Sequence, residues 1–282
     1  MSHWAKSASK TVLKLEQIAR ELRWLVVDTI YHAKDGHPGA ALSAADIVAA
    51  LYFHAMHIDP ENPEWDERDR FILSKGHGCV IVYAALAMRG YFPLDVLYSF
   101  RSIDSILQGH PFMLKTPGID MTSGSLGNGL GIAVGMEIAR QYLGKSHFIY
   151  AIVGDGEMQE GAMWEAVRTA VKYKAAHLIV FVDQNGWQAS GLCDDVGNMG
   201  DLQSKFDDYG WHCQRINGHD IKQILTSIQI ACNEQSRPSV IIADTVKGRG
   251  ISCFENNNKF HKGVPSLEEW ETARHELMGD MR

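Results

Sequence analysis

The sequence predicts an α/β protein built on a mostly parallel sheet with helices on both faces. Between residues 148 and 245, short apolar runs alternate with amphipathic helical runs. The strand-like run 148–153, and the run 177–182 after its first residue His177, are apolar throughout rather than at every second position, the pattern of strands covered on both faces. The chain has 282 residues, 45% of them hydrophobic and 22% charged, enough to bury a substantial core. No repeat, low-complexity tract or linker divides it, so residues 1–282 read as one domain.

Taken in order, residues 12–33 read as a helix, because Leu15, Ile18, Ala19, Leu22, Leu25, Val26 and Ile30 recur at helical spacing. Asp35-Gly36-His37-Pro38-Gly39 breaks it. A second helix is expected near 43–56, capped by Ser43. Residues 60–78 are polar and read as loop, and 79–89 as a buried helix. A glycine-rich stretch runs from Gly109 to Gly131. Beyond it come a strand at 148–153, a helix at 158–173, a strand at 177–182, a loop at 183–200 and a helical piece at 201–209. A strand at 209–216, a helix at 219–233 and a strand at 240–245 complete the pattern. Ligands of such sheets sit beyond the carboxyl ends of the strands.

Formal charge is −7 with no basic run, which disfavours nucleic-acid binding. Five cysteines, none spaced as C-x-x-C, support neither structural zinc nor a disulfide framework. The first residues lack an apolar signal core and no apolar run is long enough to span a membrane, so the cytoplasm is the expected compartment.

Gly154-Asp155-Gly156 directly follows the 148–153 strand. Glycine lets backbone approach a phosphate, and a carboxylate there needs a cation between itself and the phosphate, a role Mg²⁺ fills with oxygen ligands. Asp183-Gln184-Asn185-Gly186 ends the next strand. Either motif alone is commonly a plain turn, but adjacent parallel strands would bring Asp155 and Asn185 to one edge. Two other phosphate patterns fail: G-x-G-x-x-G would need glycine at Gln159, and Gly144-Lys145-Ser146 precedes a strand and lacks the first glycine at Ala139.

The Gly-Asp-Gly and Asn pair resembles the signature of thiamine-diphosphate enzymes, and further stretches are similar to the transketolases in particular. Asp35 to Gly39 resembles the S-G-H-P-G of that family, Arg68 to His77 its R-D-R-F-V-L-S-x-G-H, and Gly109-His110-Pro111 its G-H-P. Thr122 to Gly129 resembles T-x-G-[PS]-L-G-Q-G, Gly154 to Gly161 resembles G-D-G-x-x-Q-E-G, and His261 to Pro265 resembles H-G-x-x-P. They stand in family order across about 15–265. The resemblance implies the thiamine-diphosphate-binding fold of the diphosphate type. It also implies Mg²⁺ (with Ca²⁺ or Mn²⁺ as substitutes) held by Asp155, Asn185 and the Trp187 carbonyl. Gly156, His77, Gly124, Ser125, Leu126 and His261 would contact thiamine diphosphate, and His37, His110 and His261 would act on the sugar. Histidine suits proton exchange with sugar hydroxyls because it titrates near neutrality. Histidines outside the motifs, such as His54, His57, His147 and His177, read as ordinary surface or core residues.

Glu160 reads either as a first-turn acid favoured by the helix dipole or, by resemblance, as the residue that couples paired sites where two chains meet. The implied activity is cleavage of a ketose beside its carbonyl and transfer of a two-carbon ketol unit to an aldose. The implied partner is a separate C-terminal subunit with the pyrimidine domain, in an α₂β₂ assembly. Alternatives are the alpha chain of a 2-oxo acid dehydrogenase, which the Gly-His motifs disfavour, and a non-catalytic relic that binds a partner, which the intact Mg²⁺ ligand set disfavours. The sequence departs from the family at Lys75, Asn128, Trp187 and Lys262, which bears on cofactor and substrate surroundings.

Overall fold

The computed structural model describes residues 3–279. The first helix, α1 (His3–Ala33), ends where expected and begins earlier than the periodicity suggests. After the Asp35–His37 break, α2 (Pro38–Ser43) starts on proline at its first position, where a missing N–H costs nothing. Next come α3 (Ala45–Ala50) and a π-helical turn (Leu51–Ala55). The expected cap at Ser43 is therefore wrong. Ser43 closes α2 instead, and its hydroxyl donates to the Asp183 carboxylate at 2.6 Å, a partner 140 residues away that no local pattern reveals.

Within the stretch read as loop lies a strand, β1 (Arg70–Leu73), followed by α4 (Val80–Arg89). The glycine-rich region ends in a helix that the periodicity does not show, α5 (Gly129–Tyr142). β2 (Ile149–Gly154) leads through a 3₁₀ turn into α6 (Gly161–Lys172), and β3 (Leu178–Gln184) follows. The expected loop carries a small antiparallel hairpin, β4 (Trp187–Gln188) with β5 (Gly191–Leu192), and the short α7 (Cys193–Gly197). Then come α8 (Leu202–Tyr209), β6 (His212–Asn217), α9 (Ile221–Asn233), β7 (Ser239–Asp244) and an unexpected α10 (Leu267–Met278).

Five strands form one sheet in the order β1-β2-β3-β7-β6, every pairing parallel. Alternate residues of each strand face opposite sides. Tyr150, Ile152, Ile179, Phe181 and Ile241 pack with α1, α3, α4 and α9, and Ala151, Val153, Val180, Val182 and Ile242 pack with α5, α6 and α8. α10 lies on α1, where Trp270 stacks near Trp24 and Tyr31 with ring centroids 5.3 Å away in each case. The Trp270 indole donates to Asp28 at 3.0 Å. No described helix is long and apolar enough to cross a membrane.

Candidate active site

The loops that leave β1, β2, β3 and β7 at their carboxyl ends converge with three segments from outside the sheet on a cleft of about 390 Å³. The register sets its floor. Gly154 pairs with Asp183 across β2 and β3, so Asp155 and Asn185 leave the sheet side by side. Asp155 is buried, and its two oxygens accept from the backbone N–H of Gly156 at 2.8 Å and of Gly186 at 2.6 Å. Burial, and then the nearby Asp183, push its carboxyl up to about 6. Asn185 accepts from the Trp187 N–H at 3.1 Å and donates to Asp183 at 3.0 Å, which fixes which end of its amide is oxygen.

These residues offer a carboxylate, an amide oxygen and a backbone carbonyl, the hard donors that Mg²⁺ takes together with phosphate oxygens. Among the described residues no group of three or more His, Cys, Asp or Glu side chains could hold a metal; the donors here are one carboxylate, one amide oxygen and one backbone carbonyl. Gly156 fits the same reading. A Cβ there would lie 2.9 Å from the Gln188 Cβ, so only glycine keeps the backbone open toward the cleft. The residues present therefore fit a magnesium diphosphate.

Behind the donors lies a buried network that the motifs do not show. Asp183 is completely buried and accepts from Lys75, from Ser43, from Thr245 at 2.5 Å and from Asn185. Burial alone would raise its carboxyl. The Lys75 ammonium and the hydrogen bonds outweigh that and hold it below the usual carboxylate range. Glu157, also buried, ties three cleft segments together by accepting from the Ser74 hydroxyl at 2.5 Å and the backbone N–H of Gly127 at 3.0 Å and of Gly154 at 3.1 Å. Lys247 extends from the loop after β7 into the cleft. Its ammonium meets the Asn258 oxygen and the His261 Nδ1, each at 3.0 Å, and burial lowers it to about 8. Glu157 stands inside a recognised motif, and Lys75 is visible as a departure from one. The signal for Lys247 is a cation just past a strand end in a glycine-rich segment.

The four motif histidines, His37, His110 and His261 expected to act on the sugar and His77 to contact the cofactor, gather at the other end. His37, His77 and His261 form a triangle with ring centroids 5.3–5.9 Å apart, and His110 lies beside Gly124, whose φ of 142° and missing Cβ let the ring approach. Burial is the first cause that lowers each of them, to about 4 for His37 and His261 and to about 2 for His77, with neighbouring cations and histidines second. His110 shifts the same way. All four are neutral imidazoles near pH 7, each able to donate and accept one hydrogen bond. The His37 Nδ1, which lines the cleft, is buried without a partner among the described residues, as expected of a group that meets a polar ligand.

Of the other expected residues, Gly124, Leu126, Trp187 and Glu160 line the cleft. Ser125 does not; its hydroxyl faces Asn128 at 2.9 Å. Glu160 is exposed at the entry to α6 and its side chain caps nothing.

Comparison with known proteins follows the same lines. The family described as transketolase, thiamine diphosphate binding domain, matches residues 15–279. One chain of a 6-deoxy-6-sulfo-D-fructose transketolase from Clostridium sp., named as a subunit of that enzyme, is 41% identical over 95% of this chain and 98% of its own length. A chain from Actinobacillus succinogenes, likewise named as one of the subunits of an apulose-4-phosphate transketolase, is 39% identical over 94% and 96%. Among solved structures, transketolase from Leishmania mexicana superposes with a TM-score of 0.91 at 31% identity, covering 94% of this chain. This chain spans 41% of that longer one.

Proposed function

The chain belongs to the transketolase family, as its thiamine-diphosphate-binding part, and not to the alpha chains of 2-oxo acid dehydrogenases; from that premise we propose that it is one half of a two-chain enzyme moving a two-carbon ketol unit from a ketose to an aldose. The observation that carries the reading is the meeting of Asp155, Asn185 and four neutral histidines in one cleft at the sheet's carboxyl edge.

In this reading Asp155, Asn185 and the Trp187 carbonyl hold Mg²⁺ against a diphosphate, and the backbone at Gly156 lets the phosphate come close. Lys247 faces the same region with an ammonium that is largely charged at neutral pH. Thiamine diphosphate, when bound, supplies the electron sink for breaking the bond beside the ketose carbonyl. The chain's own part is placement and proton exchange. His37 and His110 each present a neutral imidazole, which can take a proton from a sugar hydroxyl at one ring nitrogen while donating from the other; the His261 Nδ1 accepts from the Lys247 ammonium, which leaves its Nε2–H to donate toward the sugar. His77, the most buried of the four, packs against both His37 and His261 and would contact thiamine diphosphate.

The group that activates the cofactor's pyrimidine is assigned to a second, C-terminal chain, since both relatives are named as parts of multi-chain enzymes. Two copies of this chain meet near Glu160, which lines the cleft together with the 40% exposed Leu126, in an α₂β₂ assembly. The substrate is a ketose with an anionic end, by analogy with the sulfonated and phosphorylated sugars in the relatives' names. All five cysteines are free thiols, which suits a reducing cytoplasm.

The test is to purify the chain alone and with a candidate C-terminal partner, add thiamine diphosphate and Mg²⁺, and assay ketol transfer. Activity only in the mixture is expected. Robust turnover by the chain alone would overturn the two-chain reading, and no transfer by the mixture with any ketose would overturn the activity.

A further inference from the structure

Two positions where this chain departs from the motifs it otherwise follows lie 227 residues apart in sequence and together in space. Asp35 stands where S-G-H-P-G has serine, and Lys262 stands where H-G-x-x-P has its glycine. The Lys262 ammonium is 4.0 Å from one Asp35 oxygen, and the Arg101 guanidinium is 2.5 Å from the other. The backbone holds the two segments together, since the Gly263 N–H donates to the Gly36 carbonyl at 3.1 Å. Between the departures sit His37 and His261, whose rings are 5.9 Å apart, so the charged group lies at the histidine end of the cleft.

The backbone at Arg101 is held in an uncommon shape. Its φ of 65° is a left-handed conformation that non-glycine residues rarely adopt. Its guanidinium lies against Gly109, where a Cβ would come within 2.9 Å of it. Its Nε is buried with no protein partner, and Lys262 is 62% exposed with donors to spare. The three side chains sum to one positive charge. The histidines add none, being neutral, and the Lys247 ammonium is held between the Asn258 oxygen and the His261 Nδ1.

We propose that Asp35, Arg101 and Lys262 form a cationic lip that selects sugars with a tetrahedral oxyanion, phosphate or sulfonate, at the end remote from the ketol. Lys262 and Arg101 attract the anion, and Asp35 moderates the attraction and aims both cations. This rests on the proposed ketol-transfer reading and assigns part of the anion's recognition to this chain rather than wholly to its partner.

The assignment makes the two departures act with opposite sign. With the assembled enzyme, kcat/KM is measured for D-fructose 6-phosphate, for the corresponding 6-sulfonate and for the uncharged ketose L-erythrulose. Lys262→Gly should lower the ratio of charged to uncharged substrate about tenfold, the effect of losing roughly one favourable charge contact. Asp35→Ser should raise the ratio, and Asp35→Asn, which keeps the shape, should raise it too. A loss with one oxyanion alone assigns the lip to that oxyanion. Equal effects on charged and uncharged ketoses, or a fall in the ratio for both Lys262→Gly and Asp35→Asn, would overturn the proposal. Calorimetric binding of the same sugars separates this from failure of the activity. Charge-selective binding that Lys262→Gly weakens, without turnover, sinks the ketol-transfer reading and keeps the lip, whereas binding indifferent to Lys262 sinks the lip.

Discussion

Asp155 sits between two amide donors with the negative charge of Asp183 close by, and the fold leaves its carboxyl raised toward neutrality. A bound cation would reverse that balance, so loss of the side chain should be felt in ligand retention more than in folding. Asp155→Ala and Asn185→Ala should each weaken Mg²⁺-dependent binding of thiamine diphosphate at least ~100-fold, more than typical losses for groups that merely support a ligand. Calorimetry on the assembled enzyme measures this, with thermal unfolding as the control for structure. Wild-type affinity in both variants contradicts the metal assignment. At the other end of the cleft, His110→Ala and His261→Ala should lower kcat by ~10²–10⁴-fold with saturating cofactor, the usual worth of positioned proton transfer. Steady-state kinetics within twofold of wild type in both would reject a chemical role for these rings.

The elements carry their own tests, and α5 is the most informative. Its first residue, Gly129, packs so tightly on the end of β1 that a Cβ would fall 2.1 Å from the Ser74 hydroxyl. Ser74 in turn donates to Glu157, so the clash would reach the cleft. Gly129→Ala should cost ~1–3 kcal/mol, the range for overfilling a packed site. Gly135, further along the same helix, faces open space. Gly135→Ala should stabilise by about 0.5–1 kcal/mol through helix propensity alone. Urea unfolding of both variants distinguishes the two, and equal midpoints would show that the β1–α5 contact is looser than described. The same glycines explain why the periodicity hides α5, because they dilute the apolar repeat without ending the helix. α10 is legible in principle: Ser266 and Glu269 form a capping box. It stands in the sequence as S-x-x-E, beyond the strand–helix alternation of residues 148–245.

For the whole molecule, the histidine cluster links stability to pH. The unfolded chain protonates these rings near 6.5, while the folded chain resists until about 4 at His37 and His261 and about 2 at His77. Between pH 6.5 and about 4 the unfolded state binds more protons, so these rings make stability fall as acid is added across that window. Above the ordinary histidine range they contribute no slope. His77→Gln should flatten the fall, read as urea midpoints at several pH values from neutral down to about 4.5, inside that window. A slope unchanged from wild type would mean that His77 protonates as freely folded as unfolded.

What the sequence by itself determined was the set of strand ends. Apolar runs at 148–153, 178–182 and 240–243 fit strands of a parallel sheet covered on both sides, and each of the first two ends in an oxygen-bearing turn. That local logic is enough to name Asp155 and Asn185 together before any coordinates. The gathering of His37, His77, His110 and His261 is reached only through resemblance, since no period or spacing links residues so far apart. Tertiary structure alone decided what stands behind the donors. Ser43 became a partner of Asp183 rather than a helix cap, Lys75 its counter-ion, and Glu157 the clasp between Gly127, Gly154 and Ser74. Helix caps and strand periods are set by neighbours within about one turn and can be read along the chain. A buried charge is set by whichever segment folds over it, and that partner is chosen by packing.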